Sequence, residues 1–210
     1  SQTTLTYYNK SLQATNIVQP DGSSVTNEYY LTGLLKRTYG SRTYPVAYSY
    51  DYAGRMKTMT NWSTFSVSGA GTGGRVTTWN YNPYRGWLDS KDYPDASTGN
   101  PPATPGTTGP LYDYSSGGRL KHRKWLRTGN YSQRIVTTYK YGFDDTTTEN
   151  EHGDLTEVSY TYDPLFPPKV TYTYDRLGRQ NTIARDGAET ATLAYNDANE
   201  VLTESYTGGT

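Results

Sequence analysis

The sequence has no cysteine, only two histidines and no apolar run that approaches the ~20 residues of a membrane span. Without cysteine the chain can form neither disulfides nor thiolate metal sites, although its compartment is left undecided. Ser1–Asn9 carries neither the basic nor the apolar part of a signal peptide, so any secretion signal would lie outside this chain. Membrane insertion is not expected.

Net charge is also absent, because 20 Lys and Arg residues balance 20 Asp and Glu residues. Such a chain has no overall field that attracts nucleic acid or an anionic membrane. A basic run at Lys121–Lys124 is divided between two faces, because strand side chains alternate. We therefore expect no nucleic-acid partner.

Tyrosine and glycine dominate instead. The 210 residues include 23 Tyr, 21 Gly and 11 Pro, whereas alanine and leucine are too sparse for many helices. This composition predicts an all-β protein whose core is carried by Tyr and Trp. Such a core needs hydrogen-bond partners for many hydroxyl groups.

A strand and a tight turn meet in Val170–Arg179. Large side chains alternate with threonine up to Tyr174, which is the period of a strand with one buried face. Asp175 ends the strand, and Gly178 permits a positive φ in the turn. Arg179 can then pair with an aspartate or lie on a tyrosine ring.

This strand and turn recur with a period of about 21 residues where the spacing is clean. A small or turn-tolerant residue follows four positions after most of the anchoring tyrosines, beginning with Ser11. Tyr81 has one extra residue before its glycine, and an insertion follows Tyr141. The predicted anchors are Tyr7, Tyr29, Tyr50, Tyr81, Tyr114, Tyr141, Tyr174 and Tyr195.

Each repeat has room for two strands joined by a second turn, so the chain is predicted to form a continuous antiparallel meander. Asp21-Gly22 and Asp186-Gly187 are the strongest second turns, with Gly40-Ser41 and Thr128–Asn130 as weaker equivalents. We expect a longer, flexible turn at Ser68–Gly74.

Three stretches depart from the repeat. Asp92–Pro110 is expected to be a lid, a contact loop or a disordered tip, and Gly142–His152 an acidic solvated loop. Asp163–Pro168 is expected to be a proline-fixed hairpin turn. The predicted organisation is one array over residues 1–210, with about eight repeats and insertions at 92–110 and 142–152.

The pattern Tyr-x-Tyr-Asp-x-x-Gly-Arg, present at Tyr48–Arg55 and Tyr172–Arg179, resembles the YD repeat of the Rhs family. Degenerate copies cover the chain, and Tyr112–Leu120 retains the Gly-Arg-Leu end. The residues that carry this signature are Tyr48, Tyr50, Asp51, Gly54, Arg55, Tyr112, Tyr114, Gly118, Arg119, Tyr172, Tyr174, Asp175, Gly178, Arg179, Tyr195 and Asn196.

The resemblance implies a strip of β-hairpins, as in bacterial polymorphic toxins, insecticidal toxin complexes and teneurins. In that family such strips are twisted or spiralling, and they form shells around toxic cargo or the barrel of adhesion proteins. The family's cleavage motif has no match, because Asp163-Pro164 shares only its first two residues. No protease site is carried over, and we expect this chain to be an excerpt of a longer array or a unit completed by another copy.

Enzymatic chemistry is not expected. His122 and His152 are isolated from any nucleophile motif, and the acidic loop lacks calcium-binding spacing. We predict no cofactor and no metal site.

Aromatic side chains offer one binding hypothesis. Trp62, Trp79, Trp87 and Trp125 are candidate platforms for sugar rings, although a structural role in a leucine-poor fold is the simpler interpretation. Trp62 is expected to be the most exposed of the four. Asn9, Asn61 and Asn130 fit the N-glycosylation pattern.

Three functions follow. The first is a non-enzymatic extracellular or cell-surface module that forms part of a shell, stalk or self-assembling filament through open sheet edges. The second is a carbohydrate-binding adhesion module, and the third is part of a toxin-encapsulating shell. Partners would be other copies, flanking repeats or glycans.

Overall fold

The computed structural model describes residues 3–66, 71–128, 133–142, 153–161, 169–186 and 189–208. Within these residues all regular structure is β-strand, and the strands follow one another in sequence order. The predicted all-β fold of antiparallel hairpins is therefore confirmed. The chain divides into two compact units, Ser1–Gly109 and Pro110–Thr210. The single array over residues 1–210 stays a prediction.

The N-terminal unit contains eight strands, each paired antiparallel with its neighbour in sequence. They are β1 (Leu5–Tyr8), β2 (Ala14–Val18), β3 (Ser24–Tyr29), β4 (Leu35–Gly40), β5 (Thr43–Tyr50), β6 (Met56–Phe65), β7 (Gly71–Tyr81) and β8 (Leu88–Asp92).

The C-terminal unit repeats this arrangement with eight further strands. They are β9 (Leu111–Tyr114), β10 (Leu120–Thr128), β11 (Arg134–Tyr141), β12 (Leu155–Thr161), β13 (Lys169–Tyr174), β14 (Gln180–Arg185), β15 (Thr190–Tyr195) and β16 (Val201–Thr207).

Every odd-numbered strand ends on a tyrosine, and seven of these tyrosines are the predicted anchors. The first anchor was placed one residue too early, because β1 ends at Tyr8 and not at Tyr7. The positive φ of the first turn accordingly falls on Leu12 (59°), four residues after Tyr8, and not on Ser11. Asn9 fixes this register, because its side-chain oxygen accepts the backbone N–H groups of Ser11 and Gln13.

The turns after Tyr8, Tyr29, Tyr50, Tyr114, Tyr174 and Tyr195 share one backbone geometry, seen clearly at Asp51–Arg55. The Asp51 N–H donates to the Arg55 carbonyl (2.9 Å), and the Gly54 N–H donates to the Asp51 carbonyl (3.0 Å). Strand register shifts at the anchor, between Ser49 and Tyr50, which marks a β-bulge. Gly54 has a φ of 78°, which a glycine adopts at little cost.

Few side chains are fully buried. The described hydrophobic core consists of Ile135, Val158 and Ala191. In the described part of the chain the tyrosines and tryptophans are half-buried or exposed, so the prediction of a core carried by these residues is wrong there. Hydroxyl groups of the half-buried anchor tyrosines find backbone carbonyl partners, as Tyr50 does at Leu35.

The insertion at Asp92–Pro110 is a folded loop and not a disordered tip. It begins at Asp92, whose carboxylate is 1% exposed. That carboxylate accepts hydrogen bonds from the backbone N–H groups of Gly106 (2.8 Å) and Thr108 (3.2 Å), and from the Asn80 amide (2.9 Å). The Gly99 carbonyl also accepts the Val76 N–H (2.9 Å), which fixes the middle of the loop to β7.

The glycine-rich segment is partly a strand, which corrects the expectation of a flexible turn at Ser68–Gly74. Gly71 to Gly74 form the beginning of β7, and Trp62 is paired with Gly74. A Cβ atom on Gly71 would lie 2.4 Å from the Trp62 Cγ, so the indole occupies the space that a side chain would need. The cross-strand aromatic ring therefore stabilises a strand that its own composition disfavours.

Several predictions fall outside the described residues. These are residues 143–152 of the acidic loop, residues 129 and 130 of the predicted Thr128–Asn130 turn, residues 68–70 of the predicted Ser68–Gly74 turn, the turn at 163–168, and Gly187. Predictions for Asn130 and His152 are therefore unchanged.

Candidate functional site

The Asp-x-x-Gly-Arg turn orients its arginine through its aspartate. Asp51 Oδ1 accepts the backbone N–H groups of Ala53 and Arg55, each at 2.9 Å. Asp51 Oδ2 accepts a hydrogen bond from Arg55 Nε (2.7 Å) and forms an ion pair with Arg55 Nη2 (2.7 Å). This charge-assisted contact holds the guanidinium in one orientation.

The oriented arginine contacts the next repeat. Arg55 Nη1 donates to the Gly86 carbonyl (2.7 Å), and the guanidinium lies 4.3 Å from the centre of the Tyr81 ring. The Tyr81 hydroxyl donates back to the Met56 carbonyl (2.9 Å). We call this arrangement the Asp51–Arg55–Tyr81 clamp, because it joins one turn to the following anchor.

A second clamp has the same geometry in the C-terminal unit. Arg179 Nε donates to Asp175 Oδ2 (2.7 Å), and its guanidinium lies 4.6 Å from the centre of the Tyr195 ring. Arg179 Nη1 donates to Asn199 Oδ1 (2.8 Å) in the next turn, and it contacts the Asn196 carbonyl at 3.3 Å. The two best copies of the sequence signature therefore perform the same structural task.

Degenerate repeats keep parts of the clamp. Arg119 lies over Tyr141 at 5.4 Å, with Ser115 in the place of the aspartate. In the first repeat Gln13 replaces the arginine, and its Nε2 donates to the Gly33 carbonyl (2.7 Å). In this repeat a side-chain donor still joins one turn to the next without an arginine.

The pKa of each clamp aspartate is lowered. Burial raises the pKa of Asp51, but hydrogen bonds from the Arg55 side chain and from backbone N–H groups offset this and leave it below the ordinary value of 3.8. The pKa of Asp175 is lowered in the same way, with burial opposed by the backbone and side chain of Arg179. Both clamps therefore favour an ionised aspartate.

The anchor tyrosines form a ladder of hydrogen bonds that the sequence did not predict. At six junctions between repeats, the anchor hydroxyl donates to the carbonyl of the first residue after the preceding turn. The pairs are Tyr29 to Ala14 (3.0 Å), Tyr50 to Leu35 (2.9 Å), Tyr81 to Met56 (2.9 Å), Tyr141 to Leu120 (3.1 Å), Tyr174 to Leu155 (2.8 Å) and Tyr195 to Gln180 (2.8 Å).

Strand register is constant at the same six junctions. The residue two positions after the acceptor carbonyl always pairs with the residue three positions before the anchor tyrosine. These pairs are Asn16 with Thr26, Arg37 with Ala47, Thr58 with Thr78, His122 with Thr138, Glu157 with Thr171, and Thr182 with Thr192. Loop insertions of different length do not change this register.

The other signature residues lie in the strands and turns beside the clamps. Tyr48 and Tyr172 are half-buried in β5 and β13, and the Tyr48 carbonyl accepts the Tyr30 hydroxyl (2.9 Å). Tyr112 and Tyr114 are half-buried in β9. Positive φ values occur at Gly118 (87°) and Gly178 (77°), and Asn196 Oδ1 accepts the Ala198 and Glu200 N–H groups.

None of the four tryptophans is fully open to solvent. Trp79 and Trp87 have cations over their rings, Lys91 at 5.1 Å and Arg85 at 4.8 Å. Arg123 lies 3.6 Å from the Trp125 ring centre, and the Trp125 indole donates to Thr137 Oγ1 (2.8 Å). Trp62, expected to be the most exposed, is half-buried against Gly71. Glycan binding by these residues stays a prediction.

Other candidate residues are dispersed. His122 and Lys124 face Asp113 (3.6 and 2.8 Å), whereas Arg123 lies on the tryptophan side, so the basic run divides between faces as predicted. Asn61 is exposed in β6, and the Asn9 side chain is engaged within its turn. The described ranges contain no group of His, Cys, Asp or Glu that could hold a metal ion. They also contain no helix suited to cross a membrane.

Two edge strands lack a second partner in the described part of the chain. β1 pairs with β2 alone, and all four of its residues are exposed. β16 pairs with β15 alone, and all seven of its residues are exposed. Large apolar side chains on these strands include Leu5 (51% exposed) and Leu202 (67% exposed).

No family model matches this chain, and no curated protein matches it. Solved structures are similar over most of its length. A crystal structure of TcdB2-TccC3-TEV is 12% identical over 96% of this chain and 13% of that chain, with a TM-score of 0.46. A crystal structure of TcdB2-TccC3-Cdc42 is 14% identical over 97% of this chain and 12% of that chain (TM-score 0.43).

A structure of the Photorhabdus luminescens Tc holotoxin pore is 14% identical over 96% of this chain and 12% of that chain, with a TM-score of 0.41. The present chain thus spans about an eighth of the length of the chains it resembles. Likenesses at this level carry no argument about family or function, so membership of the YD-repeat family stays a prediction.

Proposed function

We propose that this chain is a non-enzymatic structural module, a strip of clamped hairpins that lengthens by strand addition at its edges. The observation that carries the proposal is the exposure of β16, whose seven residues are all exposed and which pairs with β15 alone among the described strands. An uncovered strand presents unpaired N–H and C=O groups to another strand. Its edge is therefore a ready place for a further repeat.

The chemistry of the signature supports an architectural role. Asp51 and Arg55 satisfy each other and the neighbouring turn, and the Tyr81 hydroxyl is bonded to backbone. Side chains engaged in this way hold one repeat against the next. They are poorly placed to bind or transform a substrate, because their polar groups already have partners.

The cellular setting follows from the resemblance of the sequence to the YD repeat. That resemblance supports an extracellular or cell-surface location and a place in the wall of a shell, stalk or filament. Enclosure of a toxin would also require a cargo domain, which the 210 residues do not contain.

Electron microscopy of the purified chain at high concentration tests the proposal. We expect strips or filaments, and we expect the double variant Leu5→Lys with Leu202→Lys to abolish them, because lysine on an edge opposes strand addition. Leu31→Lys is the matched control, since Leu31 is fully exposed but lies in a turn and not on an edge strand. Dispersed wild-type monomers, together with a coding sequence that holds no further repeats, would contradict the proposal.

A further inference from the structure

We infer that β16 of one copy pairs antiparallel with β1 of a second copy, with Thr203 opposite Leu5 and the Tyr8 hydroxyl on the Val201 carbonyl. This inference rests on the proposed function and specifies its contact. The joined copies would form a further junction of the kind seen at the six internal junctions described above.

The basis is the constancy of the internal junctions. At all six, strand pairing and the tyrosine hydrogen bond occur together, whatever the side chains of the strands. At β14 and β15, for example, Thr182 pairs with Thr192 while the Tyr195 hydroxyl bonds the Gln180 carbonyl. The rule therefore depends on the bulged turn and the anchor, and both are present at the two edges.

Each edge supplies one half of such a junction. In β16, Val201 follows the turn Asn196–Glu200 as Gln180 follows Asp175–Arg179. In β1, Tyr8 occupies the place of the anchor, and it is 60% exposed with no hydrogen bond from its hydroxyl to any described residue. The rule then places Thr203, two residues after Val201, opposite Leu5, three residues before Tyr8.

The two halves differ, so the contact joins unlike edges. A junction between unlike surfaces leaves one free edge at each end of the joined pair, and further copies can add without limit. A second copy is the occupant that supplies the anchor tyrosine and the turn together. A strand from an unrelated protein would supply neither.

One position weakens this contact. Four of the six internal junctions have a donor side chain just before the acceptor carbonyl, as Arg55 and Gln13 show when they reach the next turn, whereas Leu34 and Asp154 occupy this position in the other two. Before β16 the equivalent residue is Glu200, which precedes the Val201 carbonyl. Its carboxylate accepts a hydrogen bond from the Asn196 amide (2.9 Å) and cannot donate one to the next turn. Replacing Glu200 with arginine would complete a clamp over Tyr8 of the second copy.

Cysteine crosslinking tests the register, and the absence of native cysteine makes it clean. Leu5→Cys and Thr203→Cys proteins are mixed and oxidised. Directly opposed Cβ atoms lie about 4.5–5.5 Å apart, whereas diagonal neighbours lie at about 7–8 Å, beyond disulfide reach. We expect the Leu5→Cys and Thr203→Cys pair to form the disulfide-linked mixed dimer at least tenfold faster than the Leu5→Cys and Ser205→Cys pair. The internal variant Thr182→Cys with Thr192→Cys is the positive control.

Affinity measurements test the hydrogen bond and the missing donor. Tyr8→Phe should raise the Kd for association about fivefold, and Tyr7→Phe should leave it unchanged. Glu200→Arg should lower the Kd about fivefold or more relative to wild type. The Kd of Glu200→Gln should lie between those of wild type and Glu200→Arg.

The outcomes separate this inference from the proposed function. Association without preferential Leu5–Thr203 crosslinking, or with faster Leu5–Leu5 crosslinking, would overturn the register and leave the structural function intact. A chain that stays monomeric at all concentrations would overturn this inference, and it would overturn the proposed function as well if the coding sequence held no further repeats. Preferential Leu5–Thr203 crosslinking with a Tyr8→Phe defect would support the inference.

Discussion

The Tyr195 hydroxyl donates a 2.8 Å hydrogen bond to the Gln180 carbonyl, fifteen residues earlier in the chain. The carbonyl lies just after a bulged turn, where the regular ladder of the hairpin is interrupted. The tyrosine therefore satisfies a backbone group that the bulge leaves without a regular partner. Its ring also carries the Arg179 guanidinium, so one residue fastens both the backbone and the turn of the preceding repeat.

Removing this hydroxyl should lower stability. We expect Tyr195→Phe and Tyr50→Phe each to reduce the free energy of unfolding by about 1 kcal/mol, because a half-buried carbonyl loses its partner. Thermal unfolding followed by circular dichroism measures the effect. Tyr52→Phe is the control, because Tyr52 is 94% exposed on a turn. Equal melting temperatures for Tyr50→Phe and Tyr52→Phe would contradict the ladder.

The clamp arginine should not tolerate lysine. Arg55→Lys keeps the positive charge but loses the planar guanidinium that contacts both Asp51 and the Gly86 carbonyl. We therefore expect the free energy of unfolding to fall by about 1 kcal/mol. Arg176→Lys, at an exposed turn position, should have no measurable effect on the melting temperature. If the arginine served only to place a positive charge, both variants would have the melting temperature of the wild type.

Acid should weaken the clamps. Because the folded pKa values of Asp51 and Asp175 lie below the ordinary 3.8, their stabilisation is complete above about pH 4 and is lost as the pH falls through the folded values. We expect Asp51→Asn to lower the melting temperature at pH 6. At pH 2 the difference in melting temperature between wild type and Asp51→Asn should be smaller, because the wild-type aspartate is then protonated. Asp197→Asn, at an exposed site, is the control. A constant difference across this range would contradict the assignment.

Two glycines should differ in their response to alanine. A Cβ on Gly54 would meet only the Leu34 Cδ1, at 3.9 Å, so the cost is that of a positive φ, about 1 kcal/mol. A Cβ on Gly40 would lie 2.1 Å from the Ser24 carbonyl oxygen, which requires the backbone to move. Gly40→Ala should therefore lower the melting temperature more than Gly54→Ala, and the reverse order would contradict the turn geometry.

The long loop should depend on its buried carboxylate. Asp92→Ala removes the carboxylate that accepts hydrogen bonds from the Gly106 and Thr108 N–H groups. We expect this change to lower the free energy of unfolding by about 3 kcal/mol. Limited proteolysis should then cut within 93–109. Asp95→Ala is the control, because Asp95 bonds only within its own turn. Resistance of the Asp92 variant to protease would mean that other contacts fix the loop.

Local chemistry was readable from the sequence. The turn at Asp175–Arg179 depends on residues within five positions of one another, so its strand end, its positive φ at Gly178 and the pairing of Arg179 followed from residue types. Stacking of arginine on an anchor tyrosine was likewise anticipated from the chemistry of the two side chains.

Features that depend on distant partners were not readable. Asp92 looked like the start of an irregular loop, because most of the groups that donate to its carboxylate, among them the Gly106 and Thr108 N–H groups, lie more than ten residues away. Gly71 looked like a flexible turn, because the ring of Trp62 that supports it belongs to another strand. The first anchor was misplaced because Tyr7 and Tyr8 are adjacent, and the hydrogen bonds of Asn9 and the φ of Leu12 distinguish them in the structure. In the short repeats each anchor tyrosine lies fifteen residues after its acceptor residue, as Tyr29, Tyr50 and Tyr195 do. This constant spacing is the sequence signal that could have predicted the ladder.

Assembly through β1 and β16 can be measured by sedimentation velocity across a wide concentration range. We expect the sedimentation coefficient of the wild-type chain to rise with concentration and the Leu5→Lys, Leu202→Lys double variant to stay monomeric. Leu31→Lys should behave like wild type. A concentration-independent monomer for the wild type, or equal association of the edge variant, would contradict assembly through β1 and β16.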